Sequence, residues 1–184
     1  MKKLIAQFVL FIFGWKSSYV SDFKVNKCVM LGAPHTSNWD ILFGLAIYWK
    51  ANIKAKFFIK DFYTKGVHGF FFRWLGGIGV DRKKSTNMVD YAVQLFNTSE
   101  KLALGVPAEG TRDRVDRWKT GFYHIATKAN VPVCLCFADY KQKIAGVGKI
   151  INLSGDFEKD MTIIQDFYKD KTAKYPEKYN KKIY

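Results

Sequence analysis

The sequence predicts an α/β fold: one domain on a mixed, largely parallel sheet covered by helices on both faces, with an apolar, amphipathic helix at its N-terminus. Three observations carry that prediction. Short apolar runs alternate along the chain with longer segments of helical period. Several of the short runs, such as Val133–Ala138, are apolar almost throughout, as strands covered on both faces are. The 184 residues are 48% hydrophobic and 25% charged, which suits a single domain that buries its core without disulfides.

The first element is MKKLIAQFVLFIFGWK. Two lysines precede a run from Leu4 to Trp15 whose only polar residue is Gln7. The run is shorter than the about 20 residues that cross a bilayer. Trp15 and Lys16 close it as interfacial anchors do. Residues 1–16 are therefore read as a helix lying in a membrane interface, with a core helix and a secretory signal as alternatives. No small-x-small cleavage site follows.

Residues 17–184 form the domain proper, with no internal repeat and no linker. Strands are predicted at Cys28–Leu31, Ala55–Ile59, Ile78–Asp81, Leu102–Val106 and Val133–Ala138, from their apolar runs. Two short candidates lie near Lys143–Val147 and Lys149–Leu153. Helices are predicted at Trp39–Lys50, Val67–Leu75, Thr86–Thr98, Thr120–Ala129 and Lys159–Lys169, with Ser85 and Asp156 as N-caps. Asn130-Val-Pro reads as a helix end and a proline entering a strand. Asp170–Tyr184, rich in Lys and Tyr, is read as poorly ordered.

Composition narrows the partners. Lys and Arg number 30 against 16 Asp and Glu, a net charge of +14, so the partner is expected to be anionic: nucleic acid, a membrane surface, an acidic protein or a phosphorylated substrate. The segment from Lys54 to Lys84 interleaves basic residues with Phe62, Tyr63, Phe70, Phe71, Phe72 and Trp74. That mixture suits a stacking platform for single strands, an interfacial membrane surface or a plain solvated face. Only 4 Pro and 14 Gly exclude fibrous or low-complexity architecture. Cys28, Cys134 and Cys136 are odd in number and fit neither a disulfide framework nor a metal site; they read as buried thiols of a reducing compartment.

Three segments carry chemistry. In Gly32-Ala-Pro-His-Thr-Ser-Asn-Trp-Asp40, His35 follows a buried strand and Asp40 begins a helix. Ligand sites of open α/β sheets sit at that edge. A carboxylate on one ring nitrogen orients the imidazole and leaves the other nitrogen to take a proton. No serine has nucleophile-elbow context, so the base acts on a hydroxyl or water that the substrate supplies. In Gly76-Gly-Ile-Gly-Val-Asp-Arg82, an arginine stands behind three glycines, where a phosphate can approach. In Val106-Pro-Ala-Glu-Gly-Thr-Arg112, Gly110 and Thr111 offer backbone N–H groups and a hydroxyl. Arg112 offers a phosphate fork, and Glu109 a carboxylate that locks an arginine or binds a glycerol hydroxyl. Read singly, each segment is also an ordinary loop.

Taken in order, HTSNWD, GIGVDR, AEGTR and VPV resemble the four blocks of the glycerolipid acyltransferase superfamily, the lysophosphatidic acid (1-acylglycerol-3-phosphate) acyltransferases. The resemblance runs from about Leu31 to Asp139. Its first block is H-x4-D, and its second contains Lys60 and Arg82 at basic positions. Two departures stand out: Ala108 intervenes between Pro107 and Glu109, and Cys134-Leu135-Cys136 replaces the second proline of the last block.

The resemblance implies transfer of a fatty acyl group from acyl-CoA or an acyl carrier protein to a hydroxyl of a lysophospholipid, glycerol phosphate or related lipid. It implies His35 as general base oriented by Asp40, with Lys60, Arg82, Glu109, Gly110, Thr111 and Arg112 at the acceptor. No metal and no redox cofactor is implied. Expected partners are an anionic membrane surface, a lysolipid acceptor and the thioester donor; nucleic acid is not expected. The expected location is peripheral, or monotopic, on the cytoplasmic face of a membrane. A dyad hydrolase acting on water and a basic, aromatic nucleic-acid module are the alternatives.

Overall fold

The computed structural model describes residues 1–20, 24–81 and 87–184. In chain order its elements are α1 (Lys2–Ile12), β1 (Lys16–Tyr19), β2 (Lys27–Gly32), α2 (Trp39–Lys50), β3 (Ala55–Lys60), a 3-10 turn (Asp61–Thr64), α3 (Gly66–Leu75) and β4 (Gly77–Val80). They continue with α4 (Met88–Thr98), β5 (Leu102–Pro107), α5 (Gly121–Ala129), β6 (Val133–Asp139), β7 (Ile144–Ile151), α6 (Phe157–Tyr168) and a second 3-10 turn (Pro176–Lys178).

The strands form one seven-stranded sheet in the order β1-β7-β6-β2-β5-β3-β4. Only the β6–β7 pair is antiparallel; all other neighbours run parallel. Period-2 alternation sends the side chains of the central strands to opposite faces. On one face Val29, Leu31, Leu104, Val133 and Leu135 pack against Phe96, Phe122, Met161 and Ile164 of α4, α5 and α6. On the other, Cys28, Met30, Cys134 and Cys136 pack beneath Tyr48 of α2. Both faces need apolar residues, which is why these strands read as unbroken apolar runs.

Helix boundaries follow local chemistry. The Asp156 side chain accepts from the Lys159 N–H at the start of α6. Asn130 ends α5 with a left-handed φ of 50°. Ser85, expected to cap α4, lies outside the described residues; the cap observed is Asn87, which accepts from the Asp90 N–H.

Four sequence expectations are corrected. The two short candidates after β6 are one strand, β7, whose register against β6 shifts between Leu135 and Cys136. The polar segment Lys16–Tyr19 is a strand, although it carries no apolar run. It lies so close to β7 that a Cβ on Gly146 would fall 1.6 Å from the Ser18 carbonyl oxygen. Trp15 is not an interfacial anchor: it is buried and stacks on Phe43 at 4.0 Å between ring centroids. Last, residues 170–184 are not a loose tail. Tyr179 and Ile183 are buried in the main core, and the Ile183 carbonyl accepts from the Trp118 N–H at 2.9 Å.

Helix α1 has two characters. Ala6 and Leu10 face inward, clustering with Phe43, Ala46 and Ile47 of α2. Leu4, Phe8, Phe11 and Ile12 are exposed. Among the described residues, no helix is long and apolar enough to cross a membrane.

The C-terminal segment offers a direct test of the correction above. Ile183 is 1% exposed. Truncating such a side chain to alanine leaves a cavity worth about 2–5 kcal/mol. Ile183→Ala is expected to lower the urea midpoint accordingly; a loss below about 0.5 kcal/mol, the size of a surface substitution, would mean that the segment is loose after all.

Candidate functional site

The site is assembled by a strand register. Gly32 of β2 pairs with Pro107 of β5, so both strands end level. The loops that follow them, 33–38 and 108–112, therefore leave the sheet side by side. The Ala108 N–H donates to the Gly32 carbonyl at 3.1 Å and ties them together.

Asp40, in the first turn of α2, holds the first loop. Its Oδ2 accepts from the backbone N–H groups of Thr36 and Ser37, both at 2.8 Å. The same oxygen stands 3.3 Å from His35 Nδ1. Its Oδ1 accepts from the Tyr140 hydroxyl at 2.6 Å. The carboxylate is thus fixed from three directions and placed against the imidazole. With Nδ1 beside Asp40, Nε2 is the nitrogen left for chemistry, and the His35 side chain retains 18% exposure.

Glu109 lies beneath the loop. It is 2% exposed, and its Oε1 accepts from the His35 backbone N–H at 3.1 Å. The carboxylate neither locks an arginine nor opens to solvent. Its Oε2 has no hydrogen-bond partner among the described residues. Burial, the largest cause, pushes the Glu109 carboxyl above its usual range, against the pull of the His35 N–H. Burial and then the Glu109 charge push the neighbouring Tyr179 phenol up as well.

Two cavities meet at Asn38. A polar cleft of about 450 Å3 is lined by Thr36, Ser37, Asn38, Trp39, Thr111, Arg112, Asp113, Tyr175 and Lys178. Arg112 crosses it to donate to the Asn38 side-chain oxygen. An apolar groove of about 530 Å3 runs from Asn38 between α1, α2 and α3, past Ile5, Val9, Leu42, Trp49, Phe71 and Trp74.

Of the residues singled out in the sequence, the structure brings together His35, Asp40, Glu109, Thr111 and Arg112. The Gly110 N–H is occupied, donating to the Pro107 carbonyl at 3.2 Å. Lys60 is exposed at the end of β3, on the same sheet edge but outside the cleft lining. Arg82 lies outside the described residues. The glycines before it have a packing role: a Cβ on Gly79 would fall 2.0 Å from Thr64 Oγ1. Among the described residues no group of His, Cys, Asp and Glu could hold a metal.

Tyr140, Tyr175 and Lys178 were not anticipated. Tyr140 follows β6 in a turn, where no periodicity marks it. Tyr175 and Lys178 belong to the segment expected to be loose. The Tyr175 N–H donates to Thr36 Oγ1 at 3.2 Å, which brings that segment onto the His35 loop.

Residues 21–137, more than half of the chain, match the sequence model of the family described as Acyltransferase. Among solved structures, the chain is similar to the 1-acyl-sn-glycerophosphate (LPA) acyltransferase PlsC from Thermotoga maritima. The two share 14% identity and a TM-score of 0.61, over 94% of this chain and 80% of that one. At that identity the likeness is one of fold. No curated protein sequence matches.

The buried Glu109 carboxyl predicts a pH dependence. A group raised on folding adds most stability below its unfolded value and loses it as pH rises through the folded value. Stability relative to Glu109→Gln is therefore expected to decline from about pH 4, the ordinary carboxyl range, toward neutrality. Urea unfolding across that range measures it, and a difference that grows with pH would overturn the assignment.

Proposed function

The chain belongs to the acyltransferase family, and from that premise we propose that it moves a fatty acyl group from a thioester to a hydroxyl of a lysophospholipid, glycerol phosphate or related lipid acceptor. The observation that carries this reading is the junction at Asn38 of a polar cleft and an apolar groove, beside a histidine–carboxylate pair. An amphiphilic acceptor and a long acyl chain need that combination; a dyad acting on water needs neither the cationic cleft nor the groove.

In this reading the acceptor hydroxyl gives its proton to His35 Nε2 while its oxygen attacks the thioester carbonyl carbon. Asp40 stabilises the imidazolium that forms. The tetrahedral intermediate collapses with breakage of the C–S bond. The imidazolium proton passes to the leaving thiolate, giving an ester and a free thiol. Such base assistance contributes about 10² to 10⁴ in rate. Arg112, with Lys60 at the end of β3 on the same sheet edge and Arg82 from the sequence block, holds the anionic head and supplies orientation. Thr111 lines the same cleft. Glu109, buried, shapes the His35 loop from beneath rather than touching the acceptor, and the exposed Gly110 makes the left-handed turn that leads to Thr111. The step uses no metal or redox cofactor, and acyl-CoA or an acyl carrier protein serves as co-substrate.

The acceptor is a lipid, so the site is proposed to work at the cytoplasmic face of a membrane, held peripherally. The exposed apolar face of α1, with Lys2 and Lys3 at its start, supports this, as does the net charge of +14. Basic charge beside apolar helix faces favours anionic lipid over nucleic acid.

His35→Ala is expected to cut acyl transfer at least about 100-fold with the fold intact. Asp40→Asn should cost less but still orders of magnitude. Labelled acyl-CoA or acyl carrier protein with a panel of lysolipids is the assay. Retention of a tenth of the activity by His35→Ala would refute the base, and release of free fatty acid without an ester product would point to hydrolysis. Arg112→Ala is expected to raise KM for the acceptor and leave that for the thioester unchanged, with Arg112→Lys rescuing in part; equal effects on both substrates would count against its assignment.

The membrane reading is tested on the outer face of α1 alone, since Ala6 and Leu10 belong to the core. Leu4, Phe8 and Phe11 changed together to serine are expected to release the protein from anionic vesicles in a sedimentation assay. At most about 1.5–3 kcal/mol is lost per side chain. Full retention at high salt would move the anchor elsewhere.

A further inference from the structure

Tyr140 stands 100 positions from Asp40 in sequence, beyond the span that matches the family model, yet its hydroxyl is 2.6 Å from Asp40 Oδ1. The other oxygen, Oδ2, takes both backbone N–H groups and faces His35. Oδ1 is therefore held by Tyr140 alone among these contacts. The phenol is itself fixed from three sides. Its ring packs edge-on against Trp15 at 4.9 Å and against Phe43 at 6.0 Å, and its backbone N–H donates to the Thr172 carbonyl at 2.9 Å. A phenylalanine would fill that space equally well. What the tyrosine adds is one O–H, aimed at one carboxylate oxygen.

We propose that Tyr140 is a positioning residue for the His35–Asp40 pair: its O–H locks the carboxylate in the rotamer that faces the imidazole and draws charge away from it. This rests on the acyl-transfer reading above. The physical effect has two parts. A hydrogen bond to an ionised group is stronger than one between neutral groups. It also shares the negative charge, so the carboxylate stabilises an imidazolium less than a carboxylate lacking that donor would. Burial first, and then donation to Asp40, push the Tyr140 phenol above its usual range, so the proton stays on the phenol throughout the working pH.

The other ionisable groups around the trio are few. Glu109 lies beneath the pair and feels the charges of His35 and Asp40, and Tyr175 acts on Tyr140 from the C-terminal segment. Asp139, next to Tyr140 in the chain, is turned to the N–H groups of Lys141 and Gln142. Lys174 stacks over Trp39 at 4.6 Å, at the mouth of the same loop.

The test follows the imidazole itself. The chain has 3 histidines, so His68 and His124 serve as internal references in an NMR titration. In Tyr140→Phe the His35 midpoint is expected to rise, with the other two unmoved. A fluorinated tyrosine placed at position 140, a stronger donor in nearly the same shape, is expected to move it down. In an Asp40→Asn background the Tyr140→Phe change is expected to have no further effect. The acid limb of kcat/KM should follow the same order, with kcat about tenfold lower in Tyr140→Phe, the loss expected for a hydrogen bond to a charged group, and KM little changed.

A His35 midpoint that ignores Tyr140→Phe, or that shifts as much in the Asp40→Asn background, would overturn the proposal. Should Tyr140→Phe fail to fold, the fluorinated series decides alone, and a flat series is the negative result. The titration needs no substrate, so an unsubstituted protein without acyl-transfer activity counts against the proposed function and leaves this test standing.

Discussion

Pairing of Leu31 with Val106 and Gly32 with Pro107 sets the height at which two chains leave the sheet, and the polar geometry of the site follows from it. A slip of one residue would turn every side chain of a strand to the opposite face. Here both faces are buried, but their fillings differ. One takes Val29 and Leu31, the other Cys28 and Met30. The register is therefore fixed by packing along the whole strand, and the loop atoms inherit that precision. His35 owes its place to a hydrophobic core that it does not itself enter.

Beneath the loops lies a polar group that an apolar core tolerates poorly. Among the described residues, Glu109 takes the His35 N–H on one oxygen and has no partner on the other. Burying such a group carries a cost, since a buried acceptor without a partner forfeits its hydration. In return its other oxygen holds the His35 backbone from below while Asp40 holds the Thr36 and Ser37 N–H groups from the helix side. The loop is thus held by two carboxylates, Glu109 from the loop after β5 and Asp40 from the first turn of α2.

Much of this was legible in the residues. The α/β class, five of the strands and the family resemblance came from apolar runs and from four ordered blocks, because buried strands and short loops leave local signatures. The closeness of His35 and Asp40 was legible too, since only a short turn between β2 and α2 separates them. What was not legible was long-range or locally silent. Lys16–Tyr19 is a strand because β7 is beside it, not because KSSY favours one. Asp170–Tyr184 looked loose by composition, yet Tyr179 and Ile183 are core residues whose partners lie far off in sequence. Tyr140 gave no signal, since nothing near it in the chain announces Asp40. Glu109 was expected to lock an arginine or bind a glycerol hydroxyl, and only the fold shows it buried beneath the His35 loop.

Helix α1 shares its inner face with α2, the helix that begins with Asp40. Undocking α1 would strip cover from Phe43 and Ile47 and loosen the floor under the carboxylate. The same helix shows its outer face to the surroundings. Any material that prefers that face therefore meets it in presentable form only on the folded molecule, and by mass action it behaves as a ligand of the native state. A bound fraction then raises the apparent unfolding free energy by RT ln(1 + [L]/Kd). Thermal stability measured in plain buffer and stability measured against such a surface are, for this molecule, two different quantities, and the difference between them is itself a binding isotherm.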